Sequence, residues 1–211
     1  MQRDELRQHL RILAITNRLI TRGSPEEVTD ALIAGGVTAI MLREKDLTPA
    51  ELFRLGVRLR DVCRARGVPL LVNNSLEVAM ALDADGVHFG RDSIPPGRAR
   101  QIAPPQMVCG FSAHDEAELH RAHEWGMDYC TLSPVFFPTS KEMSSPTLGI
   151  EGLARVASQS PIPVVALGGI ALDNARACLD AGAAGIAAIG TLYGAEDPRA
   201  AAAAFRRAID T

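Results

Sequence analysis

Apolar and polar positions along this chain follow two periods in alternation. Short apolar runs of strand character fall at Ile12–Thr16, Ala39–Leu42, Leu70–Asn73, Gly86–Phe89, Val108–Ser112, Tyr129–Ser133, Val164–Leu167 and Gly185–Ile189. Between them lie amphipathic segments of helical spacing: Pro25–Ala34, Pro49–Arg66, Leu76–Leu82, Glu116–Trp125, Ile150–Ser158, Asp173–Ala181 and Pro198–Ile209. Within Pro49–Arg66, the residues Leu52, Leu55, Leu59 and Val62 share one helix face. Helix starts are marked by Ser24-Pro25, by Thr48-Pro49 and by Asp115 ahead of Glu116. Stops are marked by Gly35, Gly67, Gly126 and Gly182. Strand and helix alternating in this way across 211 residues predicts a single α/β domain, a (β/α)8 TIM barrel. A doubly wound open sheet is the runner-up, and it would need a break in the spacing that the chain lacks.

Composition narrows the function classes. Apolar residues make up 47%, enough for a full core, whereas aromatics are only 4% and offer no base-stacking platform. A net charge of -3 gives no general electrostatic reason to bind nucleic acid or an anionic membrane. Cys63, Cys109, Cys130 and Cys178 are scattered without metal-ligand or redox spacing, and read as free thiols in a reducing compartment. No apolar stretch reaches the roughly 18 residues that would suggest a membrane span. The N-terminal run Met1-Gln2-Arg3-Asp4-Glu5-Leu6-Arg7 is charged and has no signal-peptide core. A soluble cytoplasmic protein is expected.

In a parallel barrel the chemistry sits where strands end, on the C-terminal face. The polar residues there are Thr16 and Asn17, Arg43-Glu44-Lys45, Asn73-Asn74, His88, Arg91 and Asp92, Ser112 and His114, and Ser133. Arg43 and Lys45 are two cations one residue apart, a pairing suited to phosphate or diphosphate. Asn73 and Asn74 could hydrogen-bond a heterocycle or build a turn. His88 lies inside a strand and reads as a packed histidine. His114 is the better acid/base candidate, though it could equally cap the next helix. Asp92 beside Arg91 is a weak metal signal, and no metal or other cofactor is expected. Gly168-Gly169 ends one apolar run and Ile189-Gly190 ends the next, where barrels build phosphate sites from backbone N–H groups; plain turn glycines are the alternative. The irregular stretch Pro134–Leu148 follows the sixth strand and is expected to act as a lid, with Ser140 and Lys141 closing over an anion.

Several of these residues sit in an ordered set: Gly35-Gly36-Val37-Thr38, then Leu42-Arg43-Glu44-Lys45-Asp46, Val72-Asn73, Ala84-Asp85-Gly86-Val87-His88-Phe89-Gly90, Gly110-Phe111-Ser112-Ala113-His114, Ser133-Pro134-Val135-Phe136, Leu148-Gly149 and Ala166-Leu167-Gly168-Gly169-Ile170. The set resembles the thiamine phosphate synthase/TenI superfamily over nearly the whole chain. The resemblance implies a barrel that binds a phosphorylated thiazole, usually as a homodimer. The synthases of that superfamily join a pyrimidine diphosphate to a thiazole phosphate, with Mg2+ on the diphosphate.

Three positions depart from the synthase pattern. Met41 stands for a glutamine, and Asn74 and Ser93 stand for the two metal-binding aspartates. Gly190 replaces a serine of the last phosphate turn. The pattern therefore looks like the TenI branch, whose known activity is a thiazole tautomerase. At the position of its acid/base histidine this chain has Pro134, as the synthases do. The leading expectation is a TenI-like thiazole-phosphate protein. Arg43, Lys45, Asn73, Asn74, Arg91, Ser140, Gly168, Gly169, Ile189 and Gly190 would bind substrate, with His114, Lys141 and Ser112 as catalytic residues. One alternative is a synthase with a rebuilt site, Arg91, Arg43 and Lys45 replacing the metal or Asp92 recruiting a weak ion. Another is a non-catalytic protein that senses a thiamine precursor.

Overall fold

The computed structural model describes residues 3–137 and 147–210. The chain opens with α1 (Arg3–His9), then β1 (Ile12–Ile15), α2 (Pro25–Ala34), β2 (Ala39–Leu42), α3 (Pro49–Arg66) and β3 (Leu70–Asn73). It continues through α4 (Leu76–Ala81), β4 (Gly86–Phe89), α5 (Pro96–Ile102), β5 (Val108–Ala113), α6 (Glu116–Glu124) and β6 (Tyr129–Leu132). It ends with α7 (Gly149–Gln159), β7 (Val164–Leu167), α8 (Ala175–Asp180), β8 (Gly185–Ala188), α9 (Gly190–Tyr193) and α10 (Pro198–Asp210). The strands pair in parallel in chain order, and β8 closes on β1. This is the predicted (β/α)8 TIM barrel.

Side chains alternate across each strand and so divide between two cores. In β2, Ile40 and Leu42 pack outward under the helices, whereas Ala39 and Met41 point into the barrel with Leu13, Ile15, Leu71 and Val165. The same alternation carries one step further to Arg43 at the mouth. Leu6 and Leu10 close the opposite end, each 6% exposed or less. Burying one leucine is worth about 2 kcal/mol, so α1 is held to the barrel floor by apolar contact.

The helix ends follow their local chemistry. Ser24 and Thr48 each form a reciprocal capping box with a glutamate in the first turn, and Asp115 accepts from the Glu118 amide. The buried face of α3 is Leu52, Leu55, Leu59 and Cys63, while Val62 is only half-buried. The stripe steps from Leu59 by a full helical turn, which selects Cys63. After α2 the left-handed glycine is Gly36, at φ +109, and Gly35 stays right-handed. Three helices lie outside the sequence expectation: α1, α5 and the single turn α9. The Pro95-Pro96 pair opens α5, and proline fits the first turn of a helix.

Candidate active site

Arg43 and Lys45 follow β2, Asn73 ends β3, and Asp92 lies beyond β4. Together with Asn74 they line one cleft of about 310 Å3 at the C-terminal face. The Arg43 amide donates to Thr16 Oγ1 at 2.9 Å, which fixes the turn. Its guanidinium has no acceptor among the described residues, and partial burial pushes its pKa down. Glu44 does not neutralise it by contact. The Glu44 carboxylate accepts the Arg18 amide at 3.0 and 3.2 Å, and the Arg18 side chain runs on to Asp46 at 2.5 Å. The mouth therefore holds a half-buried cation, unpaired among the described residues, beside the exposed Lys45.

Asn74 has the turn role. It sits at φ +61, and its Oδ1 accepts the Gly90 amide at 2.8 Å. Ser93 Oγ donates to the Gly90 carbonyl at 2.7 Å. Arg91 does not enter the cleft: its side chain is 69% exposed and turns to Glu118, at 3.4 Å. These contacts bear on a divalent cation. Such an ion needs several hard oxygen donors, carboxylates above all. Asn74 and Ser93 are engaged by Gly90, Glu44 is engaged by Arg18, and Asp92 is the remaining carboxylate on the cleft, beside two cations. The donor set does not fit a protein-held Mg2+.

Below the mouth lies a buried polar chain in which His88 is packed and hydrogen-bonded as the sequence suggests, but whose link to Tyr129 sequence reasoning missed. His88 Nδ1 is 2.9 Å from Tyr129 Oη, and His88 Nε2 is 2.9 Å from Ser112 Oγ. Thr131 Oγ1 makes a longer contact to Nε2 at 3.3 Å. Gly110 makes this possible. A Cβ there would stand 2.3 Å from the Tyr129 ring and 2.6 Å from His88 Nδ1. The available signal was the inward parity of β4, β5 and β6, which pairs His88 with Gly110 and Gly110 with Tyr129. His88 is 2% exposed, and its pKa is pushed down to about 3 by burial and by the Arg43 charge.

The glycine turns lie across the mouth. Gly168 and Gly169 adopt φ +96 and +64, and the chain after β6 packs directly on them. Val135 and Phe136 donate to the Leu167 and Gly168 carbonyls at 2.9 and 3.0 Å, and a Cβ on Gly169 would meet Phe136 at 2.7 Å. Packing alone therefore requires these glycines. In addition, the amides of Gly168, Gly169, Ile189 and Gly190 have no acceptor among the described residues. His114 is tied to the same rim, its Nδ1–H donating to the Ser133 carbonyl at 2.6 Å and its amide to Glu118 at 2.8 Å. Ser140 and Lys141 lie outside the described residues. A cleft of about 420 Å3 at the other end of the barrel, between Leu6, Arg100 and Pro161, contains none of these groups.

Known proteins resemble this chain over nearly its whole length. The model of the family described as thiamine monophosphate synthase matches residues 12–192. The thiamine-phosphate synthase of Albidiferax ferrireducens is 37% identical over 204 residues, which cover 96% of this chain and 93% of that protein. That of Coprothermobacter proteolyticus is 36% identical over 208 residues, 98% of each chain. Among solved structures, thiamine phosphate pyrophosphorylase from Pyrococcus furiosus superposes with a TM-score of 0.89 at 36% identity, covering 97% of this chain and 98% of that one. The chain belongs to the thiamine monophosphate synthase family.

Proposed function

We propose that the protein is a thiamine-phosphate synthase that condenses hydroxymethylpyrimidine diphosphate with a thiazole phosphate. The observation that carries the reading is the presence of two anion-receptive groups across one mouth. One is Arg43 with Lys45, the other the set of amides at Gly168, Gly169, Ile189 and Gly190, and among the described residues neither the Arg43 guanidinium nor these amides have an acceptor. A condensation of two phosphorylated substrates uses both. The names of the relatives support the same choice, and the synthase reading displaces the TenI-like expectation from sequence.

In this reading the glycine turns hold the thiazole phosphate through backbone N–H donors. Arg43 and Lys45 face the diphosphate, with Asn73 on the same cleft. The C–O bond between the pyrimidine methylene and the diphosphate breaks, and the diphosphate leaves with the electron pair. The thiazole ring nitrogen then forms the C–N bond with its lone pair. Charge gathers on the leaving oxygen, where a preorganised guanidinium acts most strongly. The Arg43 charge is already partly desolvated, so its attraction for an anion is less screened than at the open surface. The homodimer implied by the resemblance is part of this reading. No described helix is long and apolar enough to cross a membrane.

The test is direct. Protein is mixed with both substrates, in Mg2+ and in EDTA, and thiamine phosphate and diphosphate are quantified. Equal amounts of the two products, formed in EDTA as well, are expected. No product from folded protein would overturn the synthase reading, and product formed only with Mg2+ would overturn the account of the cleft.

A further inference from the structure

We propose that Tyr129 and His88 are positioning residues that make Ser112 an obligatory hydrogen-bond donor at the barrel mouth: Tyr129 Oη–H donates to His88 Nδ1, His88 Nε2–H donates to Ser112 Oγ, and the Ser112 proton faces the leaving anion. The identity of that anion, diphosphate, rests on the synthase reading; the direction of the chain does not.

The direction follows from counting protons. Tyr129 is fully buried, and His88 Nδ1 is its one side-chain partner among the described residues. Burial keeps the phenol protonated. A buried hydroxyl proton without an acceptor is costly, so the Tyr129 proton goes to Nδ1. The imidazole is neutral at working pH and carries one N–H, which is then on Nε2. The opposite direction would leave the phenol proton without a partner at the bottom of the barrel. A phenol is also more acidic than the hydroxyls of Ser112 and Thr131, and it wins the competition for the single lone pair. Ser112 Oγ at 2.9 Å takes the Nε2–H ahead of Thr131 at 3.3 Å.

Ser112 is the one half-buried member of a chain whose other members are buried. Its oxygen lone pair is engaged from below, so its own proton points to the open side. The Arg43 charge acts on His88, the residue whose Nε2 carries the bond to Ser112. No proton leaves the chain during the reaction. The histidine is a fixed dipole and not an acid or base. Gly110 is part of the device, since any side chain there would separate the two rings.

The experiment combines 15N NMR of histidine-labelled protein with steady-state kinetics. The His88 signals are assigned by their loss in His88→Gln. Expected in the native protein is one neutral tautomer with the proton on Nε2, unchanged between about pH 5 and about pH 9. In Tyr129→Phe, which keeps the ring, both tautomers appear. There kcat falls about tenfold while KM for either substrate stays within about twofold, the signature of an interaction made in the transition state. In a Ser112→Ala background, Tyr129→Phe has no further effect on kcat. A native proton on Nδ1, or two substitutions whose effects on kcat multiply, would overturn the proposal. If no thiamine phosphate forms, the synthase reading fails, and the tautomer alone decides the chain: Nε2–H upholds it and Nδ1–H overturns it.

Discussion

Asn74 Oδ1 accepts the Gly90 amide at 2.8 Å, tying the end of β3 to the turn after β4. The bond uses the side-chain oxygen at a position where the resemblance places a metal-binding aspartate. Ser93, at the second such position, is bonded to the carbonyl of the same Gly90. Where the resemblance implies a cation site, these two residues brace a turn. The difference is testable in reverse. Asn74→Asp keeps an acceptor for Gly90, and Ser93→Asp adds the second carboxylate. The double variant is expected to show a rate that Mg2+ raises about tenfold, or ~1.4 kcal/mol, whereas the native rate is insensitive to EDTA. Condensation assays across a Mg2+ titration give the answer, and a flat response in the double variant counts against the implied cation site.

Arg43 trades stability for binding. Its charge is partly desolvated, and its side chain has no acceptor among the described residues, so the folded protein gains nothing from it by contact. Arg43→Ala is expected to lower kcat/KM by about 10²–10³, ~3–4 kcal/mol, as for loss of a preorganised donor. Urea unfolding of the same variant is expected within about 0.5 kcal/mol of native, or more stable. A variant that loses stability in step with activity would show that Arg43 is structural.

Two glycines, one inside the barrel and one at its mouth, should behave oppositely. A Cβ at Gly110 would press on the Tyr129 ring at 2.3 Å, whereas a Cβ at Gly190 meets nothing within 4 Å. Gly110→Ala is expected to cost about 3 kcal/mol in chemical denaturation. Gly190→Ser, by contrast, should leave stability within about 0.5 kcal/mol. Its hydroxyl adds a donor beside the backbone amides, so KM for the thiazole phosphate should drop about fivefold, ~1 kcal/mol. An unchanged KM would place the phosphate elsewhere.

The barrel was legible in the sequence because its signals are local. Four of the strands, Ala39–Leu42, Leu70–Asn73, Gly86–Phe89 and Val164–Leu167, begin and end where the apolar runs do. Caps at Ser24 and Thr48 depend on residues a turn apart. The convergence of Arg43, Lys45 and Asn73 on one cleft was legible too, through strand parity. The rest depends on contacts between strands distant in the chain. Arg91 was read as a cleft cation because it follows β4, but Glu118 of α6 draws it away. Tyr129 opens an apolar run and carries no mark of its partner. Its meeting with His88 needs the register of β4, β5 and β6 and the bare backbone of Gly110.

His88 also makes stability depend on pH, with a definite sign. In the folded protein its pKa is pushed down to about 3, first by burial and then by Arg43. In the unfolded chain an ordinary histidine titrates near ~6.5. Between these values the unfolded chain binds a proton that the folded protein refuses. Stability is therefore full above the unfolded value and is lost progressively as pH falls toward the folded one. From pH 7 to pH 5 the loss assigned to His88 is about 2 kcal/mol. His88→Gln removes the titrating group. The variant is less stable at neutral pH, since it breaks the contacts to Tyr129 and Ser112, but it should lose about 2 kcal/mol less than native over the same interval. Urea denaturation of both proteins at the two pH values measures the difference. Equal losses in the two would mean that His88 accepts a proton in the folded barrel, and the fixed neutral dipole behind Ser112 would fall with it.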